Sequence, residues 1–321
     1  MGIWIKRKGT GLVTIWFAAP AALWAAYEAP LRTALAEAGV AAALSPDCPD
    51  PGAVDFLIYA PGGAAPDFSA FTRARAVLSL WAGVERIVAN PTLTQPLCRM
   101  VDPALTQGMV EWVTGQVLRH HLGLDAHIRR TEPVWAPVVP PLAAERPVAM
   151  LGLGDLGLAC ARALTALGFP VTGWARRPRA LADLPTDHGE DGLRRVLGGA
   201  QIVVTLLPRT PDTEDLLNAR TLGWLPRGAV VINSGRGHLI DEAALIAALD
   251  AGQVGHATLD VFRTEPLPPD HPFWHHPRVT VTPHIAAETR PASAARVVAE
   301  NIRRSLAGEP LLHLVDRQRG Y

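Results

Sequence analysis

The sequence contains little cysteine and no excess of charge. Cys48, Cys98 and Cys160 are its three cysteines, in 321 residues, and their spacing matches no metal-binding pattern. So few thiols suit a reducing compartment. The 30 basic residues are balanced by 30 acidic ones, so there is no basic surplus to hold a phosphate backbone. We therefore expect a cytoplasmic protein that binds neither nucleic acid nor a metal ion.

Beyond the N-terminal region the sequence also lacks any apolar run long enough to cross a bilayer. The stretch "MGIWIKRKGTGLVTIWFAAPAALWAAYEA" has a basic start and an apolar centre, and it could be a secretory signal. The alternative is a short extra tail, a strand at Leu12–Ala18 and a helix from about Trp24 to Ala38. We favour the second interpretation, because "YEAPLRTALAEAG" continues a helical pattern that Gly39 closes. No membrane partner is expected.

Internal repeats and low-complexity tracts are absent as well, and the length is sufficient for two domains. The first part of the chain alternates helical patterns with short apolar strands, which predicts a small parallel sheet; these strands are "LVTIWFAA", "VDFLIYA", "AVLSL" and the weaker "PLCRM". Residues 102–123 predict one long helix, with Asp102 as N-cap and Pro103 in its first position. The Pro-rich stretch "EPVWAPVVPPLAAERP" that follows predicts a linker.

A second series of strands and helices begins at Val148. The predicted strands are 148–151, 170–174, 201–206, 229–233, 254–260 and 279–282, and helical patterns lie between most of them. Residues 291–307 predict a final amphipathic helix that ends at Gly308. After the last strand we expect the chain to return to the first domain. The fold class predicted is therefore α/β, with two domains.

A glycine fingerprint marks the first turn of the second domain. "VAMLGLGDLGLACARALTALGFPV" places Gly152, Gly154 and Gly157 in the order G-x-G-x-x-G, between an apolar strand and a helix. Such glycines allow a tight turn, close approach of a pyrophosphate and close packing of the helix. The N–H groups at the helix start, including those of Asp155 and Leu156, would attract the anion. This pattern predicts a dinucleotide site, which we prefer to a turn without a ligand.

The next strand lacks the acidic residue with which an NAD site binds the ribose hydroxyls. "WARRPR" follows it instead, with Arg176, Arg177 and Arg179. Several arginines on this loop suit the 2′-phosphate of NADP, since a guanidinium forms charge-assisted hydrogen bonds to phosphate. The alternative is a basic turn exposed to solvent. We expect NADPH as the cofactor.

Three polar residues follow later apolar strands. Arg236 comes after "VVIN", Glu265 lies in "TLDVFRTEPLPP", and His284 lies in "VTVTPHIAAETR". Strand ends of a doubly wound sheet converge on one crevice, so these residues can meet there. Reduction of a 2-keto acid needs this set: a cation for the carboxylate and keto oxygen, a proton donor, and a carboxylate that keeps the donor protonated. The glycines beside Arg236 suggest that its backbone approaches a ligand closely.

These motifs together resemble the D-2-hydroxyacid dehydrogenases. The similarity extends over "WAGVERI", "GLGDLG", "LLPRTPDTEDLLN", "INSGRGHLIDEAALIAALDAG" and "TLDVFRTEPLPPDHPFWHHPRVTVTPHIAA". "WARRPR" and "VDRQRGY" are similar to the branch of bacterial reductases that act on glyoxylate and hydroxypyruvate. The resemblance implies that Arg236, Glu265 and His284 are catalytic, with His284 as proton donor. It also implies reduction of glyoxylate to glycolate and of hydroxypyruvate to D-glycerate.

The resemblance carries further expectations for the architecture. It implies two Rossmann-like domains, namely a smaller flavodoxin-like substrate domain, residues 1–101 plus 287–321, and an NADP-binding Rossmann domain, residues 102–286. The active site would lie between them. A homodimer is implied, with the helix 102–122 near its interface. The backbone N–H groups of Ala82 and Gly83 would hold the substrate carboxylate.

Some residues carry expectations of their own. Trp81 stands where the branch has a small residue, so it bears on substrate size. Leu206 and Pro208, in "VTLLP", are expected near the adenosine and pyrophosphate, and Asn233 and Ser234 are expected to line the cofactor crevice. Asp260 is expected either to fix loop geometry or to meet the nicotinamide ribose. His271, His275 and His276 could suggest a metal site, but without acidic or cysteine neighbours we interpret them as surface residues.

A non-catalytic alternative stays open at this point. The same fold could serve a dinucleotide-sensing protein of the corepressor type, which binds the cofactor without turnover. A complete set of arginine, carboxylate and histidine favours the enzyme, since a sensor need not keep a proton donor. Within the enzyme class, a different D-2-hydroxy acid is a further alternative, and oxidation of formate or phosphite is a more remote one.

Overall fold

The computed structural model describes residues 12–63, 67–128, 131–318 and 320. The described residues divide into two compact units, one formed by those up to Leu105 and from Thr289 onward, the other by those from Thr106 to Glu288. The sequence placed these boundaries at 101/102 and 286/287, so that the whole long helix belonged to the second domain. Its first turn instead belongs to the first unit. The short tail expected before Leu12 lies outside the described residues.

The first unit is a five-stranded parallel sheet with the strand order β2-β1-β3-β4-β5, which is the flavodoxin-like order. Its central strands read as continuous apolar runs because helices cover both faces of such a sheet. The elements are β1 Val13–Ala18, α1 Ala21–Glu37, β2 Ala42–Ser45, β3 Phe56–Tyr59, β4 Ala76–Ser79, α2 Glu85–Val88 and β5 Leu97–Cys98. The last helix of the chain, α9 (Pro291–Ala307), packs against α1 in this unit.

The second unit is a seven-stranded parallel sheet with the order β12-β11-β10-β9-β6-β7-β8. The elements after α3 (Pro103–His121) are α4 Leu124–Ile128, β6 Val148–Leu151, α5 Asp155–Ala166, β7 Val171–Ala175, β8 Thr186–His188, α6 Gly189–Gly199, β9 Ile202–Thr205, α7 Ala219–Leu222, β10 Ala229–Asn233, α8 Glu242–Asp250, β11 Val254–Leu259 and β12 Val279–Val281. This is a doubly wound Rossmann sheet, and the predicted fold class is confirmed. The strand order reverses between β6 and β9, where such sheets bind their ligands.

The sequence suggested that the Pro-rich stretch is a linker. The stretch does not connect the two units, because it lies wholly inside the second one. It has no regular structure over most of its length, and Trp135 and Val139 are strongly exposed. Within the described ranges, no helix combines the length and the apolar character that crossing a bilayer requires.

Candidate active site

The glycine turn after β6 lies at the point where the strand order of the second unit reverses. A Cβ on Gly152 would lie 2.5 Å from the carbonyl oxygen of Leu206, and one on Gly157 would lie 2.0 Å from that of Gly152. The positive φ of Gly152, 106°, also requires glycine. A Cβ on Gly154, by contrast, would meet no atom within 4 Å. Two of the glycines therefore close the turn, and the third leaves open backbone at the start of α5.

This turn fits the pyrophosphate of a dinucleotide. Gly154 is the N-cap of α5, and Asp155 and Leu156 begin the helix. The first N–H groups of a helix have no partner within it and carry the positive end of its dipole, so they bind anions. Leu206 lies beside the turn, since its N–H donates to the Leu151 carbonyl at 2.8 Å. Pro208 follows two residues later, and its carbonyl accepts from Thr213 Oγ1 at 2.7 Å.

The three arginines after β7 have different surroundings. Arg176 is paired with Asp212, which the loop after β9 supplies. Arg179 donates to the carbonyl of Leu153, inside the glycine turn. Arg177 is exposed and has no partner among the residues that the structure describes. Asp212 was not expected from the sequence, because it lies 36 residues beyond Arg176.

Asn233, at the end of β10, fixes the turn that carries Arg236. Its side-chain amide donates to the Arg236 carbonyl at 3.0 Å, and its side-chain oxygen accepts from Thr205 Oγ1 at 2.7 Å and from the Gly235 N–H at 3.1 Å. Asn233 is 1% exposed. These contacts give it a structural task in the turn, where the sequence suggested that it lines the crevice.

The two glycines beside Arg236 pack against protein, and the sequence interpretation that they admit a ligand stays a prediction. A Cβ on Gly237 would lie 2.0 Å from the carbonyl carbon of Phe262. One on Gly235 would lie 3.0 Å from the Leu207 carbonyl oxygen. Both glycines therefore let the neighbouring loops approach the turn. The arginine itself donates from Nη1 to the Gly235 carbonyl at 2.7 Å.

Ser234 carries a buried hydroxyl for which the described residues offer no hydrogen-bond partner. Its exposed fraction is 5%, and it follows β10 directly. A buried hydroxyl without a partner is costly, by roughly 1–3 kcal/mol in mutational series, so such a group often awaits a ligand. The Ser234 hydroxyl is therefore suited to a polar group of a cofactor, and its expected place in the cofactor crevice stays a prediction.

Glu265 and His284 form a hydrogen-bonded pair. His284 Nδ1 donates to Glu265 Oε2 at 2.8 Å, while Glu265 Oε1 accepts the Phe262 N–H at 2.9 Å. The imidazole Nε2 is thereby left as the ring nitrogen that is available to a substrate. His284 has a φ of +54°, a conformation that a residue with a side chain adopts rarely and that is typical of functional sites.

Asp260, at the end of β11, holds the loop of His284. Its carboxylate accepts from Thr282 Oγ1 at 2.5 Å, from the Ile285 N–H at 3.0 Å and from the Ala286 N–H at 2.9 Å. Its carbonyl accepts the His284 N–H at 2.9 Å. Of the two tasks expected for Asp260, these contacts are those of fixing the loop.

The pair shifts the protonation of both partners. The hydrogen bond to Glu265 and the negative charges of Glu265 and Asp260 raise the pKa of His284, and together they outweigh burial and the positive charge of Arg236, which lower it. Burial alone would raise the pKa of Glu265, but the hydrogen bonds from His284 and Phe262 and the charges of His284 and Arg236 bring it below its ordinary value. Both shifts favour an imidazolium beside a carboxylate, which is the state that a proton donor requires.

The turn of Trp81, Ala82 and Gly83 lies in the first unit, after β4. Ser79 Oγ donates to the Trp81 carbonyl at 3.0 Å and accepts the Trp81 N–H at 3.1 Å, which fixes the turn. In the described structure the N–H groups of Ala82 and Gly83 donate to no protein group. The Trp81 side chain is 42% exposed. Such a turn can hold an anion by its backbone.

The histidine-rich segment "HPFWHHP" lies against α8. His271 Nε2 is 3.5 Å from Glu242 Oε2, and His276 Nε2 is 3.3 Å from Asp250 Oδ1. Each of the two rings also accepts a backbone N–H at Nδ1, from Phe273 and from Arg278. The two carboxylates thus come from α8, which lies earlier in the sequence. Through these contacts both imidazole rings fix the conformation of the histidine-rich segment.

Comparison with known proteins decides the family of this fold and site. Residues 115–286 match the model of the D-isomer specific 2-hydroxyacid dehydrogenase NAD-binding domain. The chain belongs to the D-isomer specific 2-hydroxyacid dehydrogenase family. The expected family is therefore confirmed, and the second unit is its dinucleotide-binding domain.

Relatives within the family extend the similarity to most of the chain. Glyoxylate/hydroxypyruvate reductase A of Salmonella heidelberg is 38% identical over 257 residues, which are 78% of this chain and 82% of that one. A D-isomer specific 2-hydroxyacid dehydrogenase of Xanthobacter autotrophicus, solved with NADPH and MES, is 40% identical at a TM-score of 0.89 over 98% of this chain and 100% of that chain. The NADPH-dependent glyoxylate/hydroxypyruvate reductase of Sinorhizobium meliloti, solved with NADP and sulfate, is 35% identical at a TM-score of 0.84, with coverages of 96% and 100%.

Proposed function

We propose that this dehydrogenase reduces small 2-keto acids with NADPH, converting glyoxylate to glycolate and hydroxypyruvate to D-glycerate. One observation carries the proposal: the pair of His284 and Glu265, with the charge of Arg236 acting on the pKa of both. A cation, a proton donor and its carboxylate are the groups that reduction of a 2-keto acid needs. The names of the relatives support the choice of substrates.

The proposed reaction gives a separate task to each of three residues, Arg236, Glu265 and His284. The Arg236 guanidinium binds the substrate carboxylate and polarises the keto oxygen, on which negative charge develops. His284 donates its Nε2 proton to that oxygen, which becomes the hydroxyl of the product. Glu265 accepts from Nδ1 throughout, so it holds the ring in place and stabilises the imidazolium before transfer. NADPH, when bound, supplies the hydride to the keto carbon.

The cofactor assignment has support from three places in the second unit. The open backbone at Gly154 suits the pyrophosphate, the hydroxyl of Ser234 suits a polar group of the cofactor, and Arg176 and Arg177 suit the 2′-phosphate. The pairing with Asp212 means that Arg176 would exchange one anion for another. Arg177 is the arginine that could bind the phosphate without first giving up a partner. Arg179, which was also expected at the 2′-phosphate, donates to the Leu153 carbonyl in the glycine turn. We therefore assign it to the support of that turn.

The binding of the substrate carboxylate by Ala82 and Gly83 rests on the family resemblance and on their unpaired N–H groups, and it stays a prediction. So does the homodimer. A substrate panel with NADPH tests the function: glyoxylate, hydroxypyruvate and longer 2-keto acids are mixed with the protein, and loss of the absorbance of reduced nicotinamide is followed. A corepressor-like sensor would bind NADPH without consuming it with any of these acids. A dehydrogenase for another D-2-hydroxy acid would leave glyoxylate and hydroxypyruvate nearly untouched while it reduced a different acid.

A further inference from the structure

Arg263, in the loop between β11 and β12, connects three segments that follow strand ends. Its guanidinium binds Glu214 Oε1 at 2.9 Å and also pairs with Asp215. Nη2 and Nε donate to the carbonyl of Ile240 at 3.1 and 3.3 Å. The Arg263 side chain is only 28% exposed. One planar group thus binds two carboxylates and a backbone oxygen, which is the geometry that a forked guanidinium allows.

The groups that Arg263 binds flank the turn of Arg236. The segment of Asp215 runs beside this turn, since the Asp215 N–H donates to the His238 carbonyl and the Leu217 N–H to the Leu239 carbonyl, both at 2.9 Å. Ile240 ends the short 3-10 turn, Gly237–Leu239, that directly follows Arg236. Arg263 therefore fastens its own loop to the element that carries Arg236.

The same loop sets the position of Glu265. The Phe262 N–H, one residue before Arg263, donates to Glu265 Oε1, and the other carboxylate oxygen accepts from His284. The backbone at Phe262 and Arg263 lies against Gly237 so closely that a Cβ there would be 2.0 Å from the Phe262 carbonyl carbon. The loop that binds Glu265 therefore packs on Gly237, and the guanidinium of Arg263 joins the same loop to Glu214, Asp215 and Ile240.

We propose that Arg263 is a positioning residue that couples the Arg236 turn to the Glu265–His284 pair and so keeps His284 protonated. This inference rests on the proposed function, in which His284 gives a proton to the substrate. Arg263 has no direct contact with His284. It acts by holding the carboxylate that does.

Loss of Arg263 should change the pKa of His284 in one direction if Arg263 positions Glu265, and in the opposite direction if Arg263 acts only through its charge. The charged groups that act on His284 are Glu265, Arg236 and Asp260. Removal of a positive charge elsewhere would raise the pKa of an imidazole, because the imidazolium would meet less repulsion. Release of the Glu265 loop would lower it, because the hydrogen bond that raises the pKa of His284 would weaken. The direction of the change therefore separates positioning from charge.

The experiment compares Arg263→Gln, Arg263→Lys and Glu265→Gln with the wild-type protein. Arg220→Gln is the matched control, since Arg220 also binds a carboxylate of the second unit, Glu190 Oε1, at 2.7 Å. The pKa of the His284 ring is measured by nuclear magnetic resonance on the protein alone. The pH profile of kcat/KM for glyoxylate with NADPH is measured in parallel.

We expect the His284 pKa of Arg263→Gln to fall below that of the wild type, by less than in Glu265→Gln, with kcat/KM reduced by roughly ten-fold to a hundred-fold. Arg263→Lys keeps the positive charge but loses the planar guanidinium that binds several groups at once. It should therefore also lower the pKa of His284, by a smaller amount. It serves as the deciding variant if Arg263→Gln does not fold. Arg220→Gln should match the wild type.

An unchanged or raised His284 pKa in folded Arg263 variants would overturn the positioning role. If the pKa falls as expected while the wild type reduces no 2-keto acid, the positioning stands and the proposed function fails. The resonance titration requires no turnover, so the two failures can be told apart.

Discussion

At His284 the two ring nitrogens have different tasks. Nδ1 is held by Glu265 at 2.8 Å, and Nε2 is the nitrogen that we propose as the proton donor to the substrate. The backbone of His284 takes a positive φ, and its loop is fixed by the buried carboxylate of Asp260. A proton donor requires this combination of a fixed ring and a raised pKa.

Arg236 gives the most direct residue-scale prediction. Arg236→Ala should lose at least about two orders of magnitude in kcat/KM, on the order of 3 kcal/mol, because the charged group for the carboxylate and keto oxygen is removed. Arg236→Lys should also be poor, since a point charge cannot replace the fork. Steady-state kinetics with glyoxylate and NADPH measures both. A near-normal kcat/KM for the alanine variant contradicts the assignment.

The role of Glu265 predicts how kcat/KM depends on pH. Reduction needs protonated His284, so kcat/KM should fall as pH rises through the pKa of that group. Glu265 raises this pKa, and Glu265→Gln should therefore move the fall to lower pH. The measurement is a pH profile of kcat/KM for both proteins in the same buffers. Superimposable profiles mean that Glu265 does not tune His284.

Trp81 bears on substrate size. Its indole adjoins the turn proposed to bind the substrate carboxylate, and it is partly exposed. Trp81→Gly should raise kcat/KM for longer 2-keto acids relative to glyoxylate, because a bulky side chain is removed. The ratio of the two kcat/KM values, with the same NADPH concentration, is the readout. An unchanged ratio shows that the indole does not limit the pocket.

The sequence predicted which residue types the site needs, since Arg236, Glu265 and His284 each follow an apolar strand. It did not reveal the long-range contacts around these residues or in the loop after β7. Asp212 and Arg263 bind partners that are 36 and 48–49 residues away, and no local pattern marks such contacts. The protein contacts of the glycines beside Arg236 could not be predicted either, because Gly235 packs against Leu207 and Gly237 against Phe262, which lie far from them in the sequence.

At the scale of elements, the buried strands were the most predictable. β6 and β10 have the predicted bounds, and so does α9, because apolar runs and helical periodicity mark them clearly. β8, with the sequence "TDH", was missed because it is a polar strand at the sheet edge. β2, with "AALS", was missed because a short alanine-rich run carries no strand signal.

The loop after β7 gives the element-scale prediction. NADPH should be preferred to NADH, mostly in KM, because arginine contacts to the 2′-phosphate would be lost with NADH. After allowance for solvent exposure we expect a preference of roughly ten-fold to a few hundred-fold, weakening as salt rises. The double variant Arg176→Ala, Arg177→Ala should lose most of it. kcat/KM for both cofactors is measured, and an unchanged preference in the double variant shows that other residues select the cofactor.

At the scale of the whole molecule, the alternation of strands and helices was enough to predict two α/β units. The flavodoxin-like order of one and the Rossmann order of the other agree with the family resemblance. The long helix was harder to assign, since the division between the units falls after Leu105, within its first turn, and no sequence feature marks that point. The homodimer and the cytoplasmic location stay predictions.

The central claim is that this chain reduces a small 2-keto acid with NADPH through Arg236, Glu265 and His284. The most direct measurement mixes the purified protein with NADPH and glyoxylate and follows the absorbance of reduced nicotinamide, with His284→Ala as the matched control. The account predicts steady consumption of NADPH and formation of glycolate by the wild type, and almost none by the variant. Tight binding of NADPH without consumption with glyoxylate or hydroxypyruvate, or equal turnover by the variant, would contradict it.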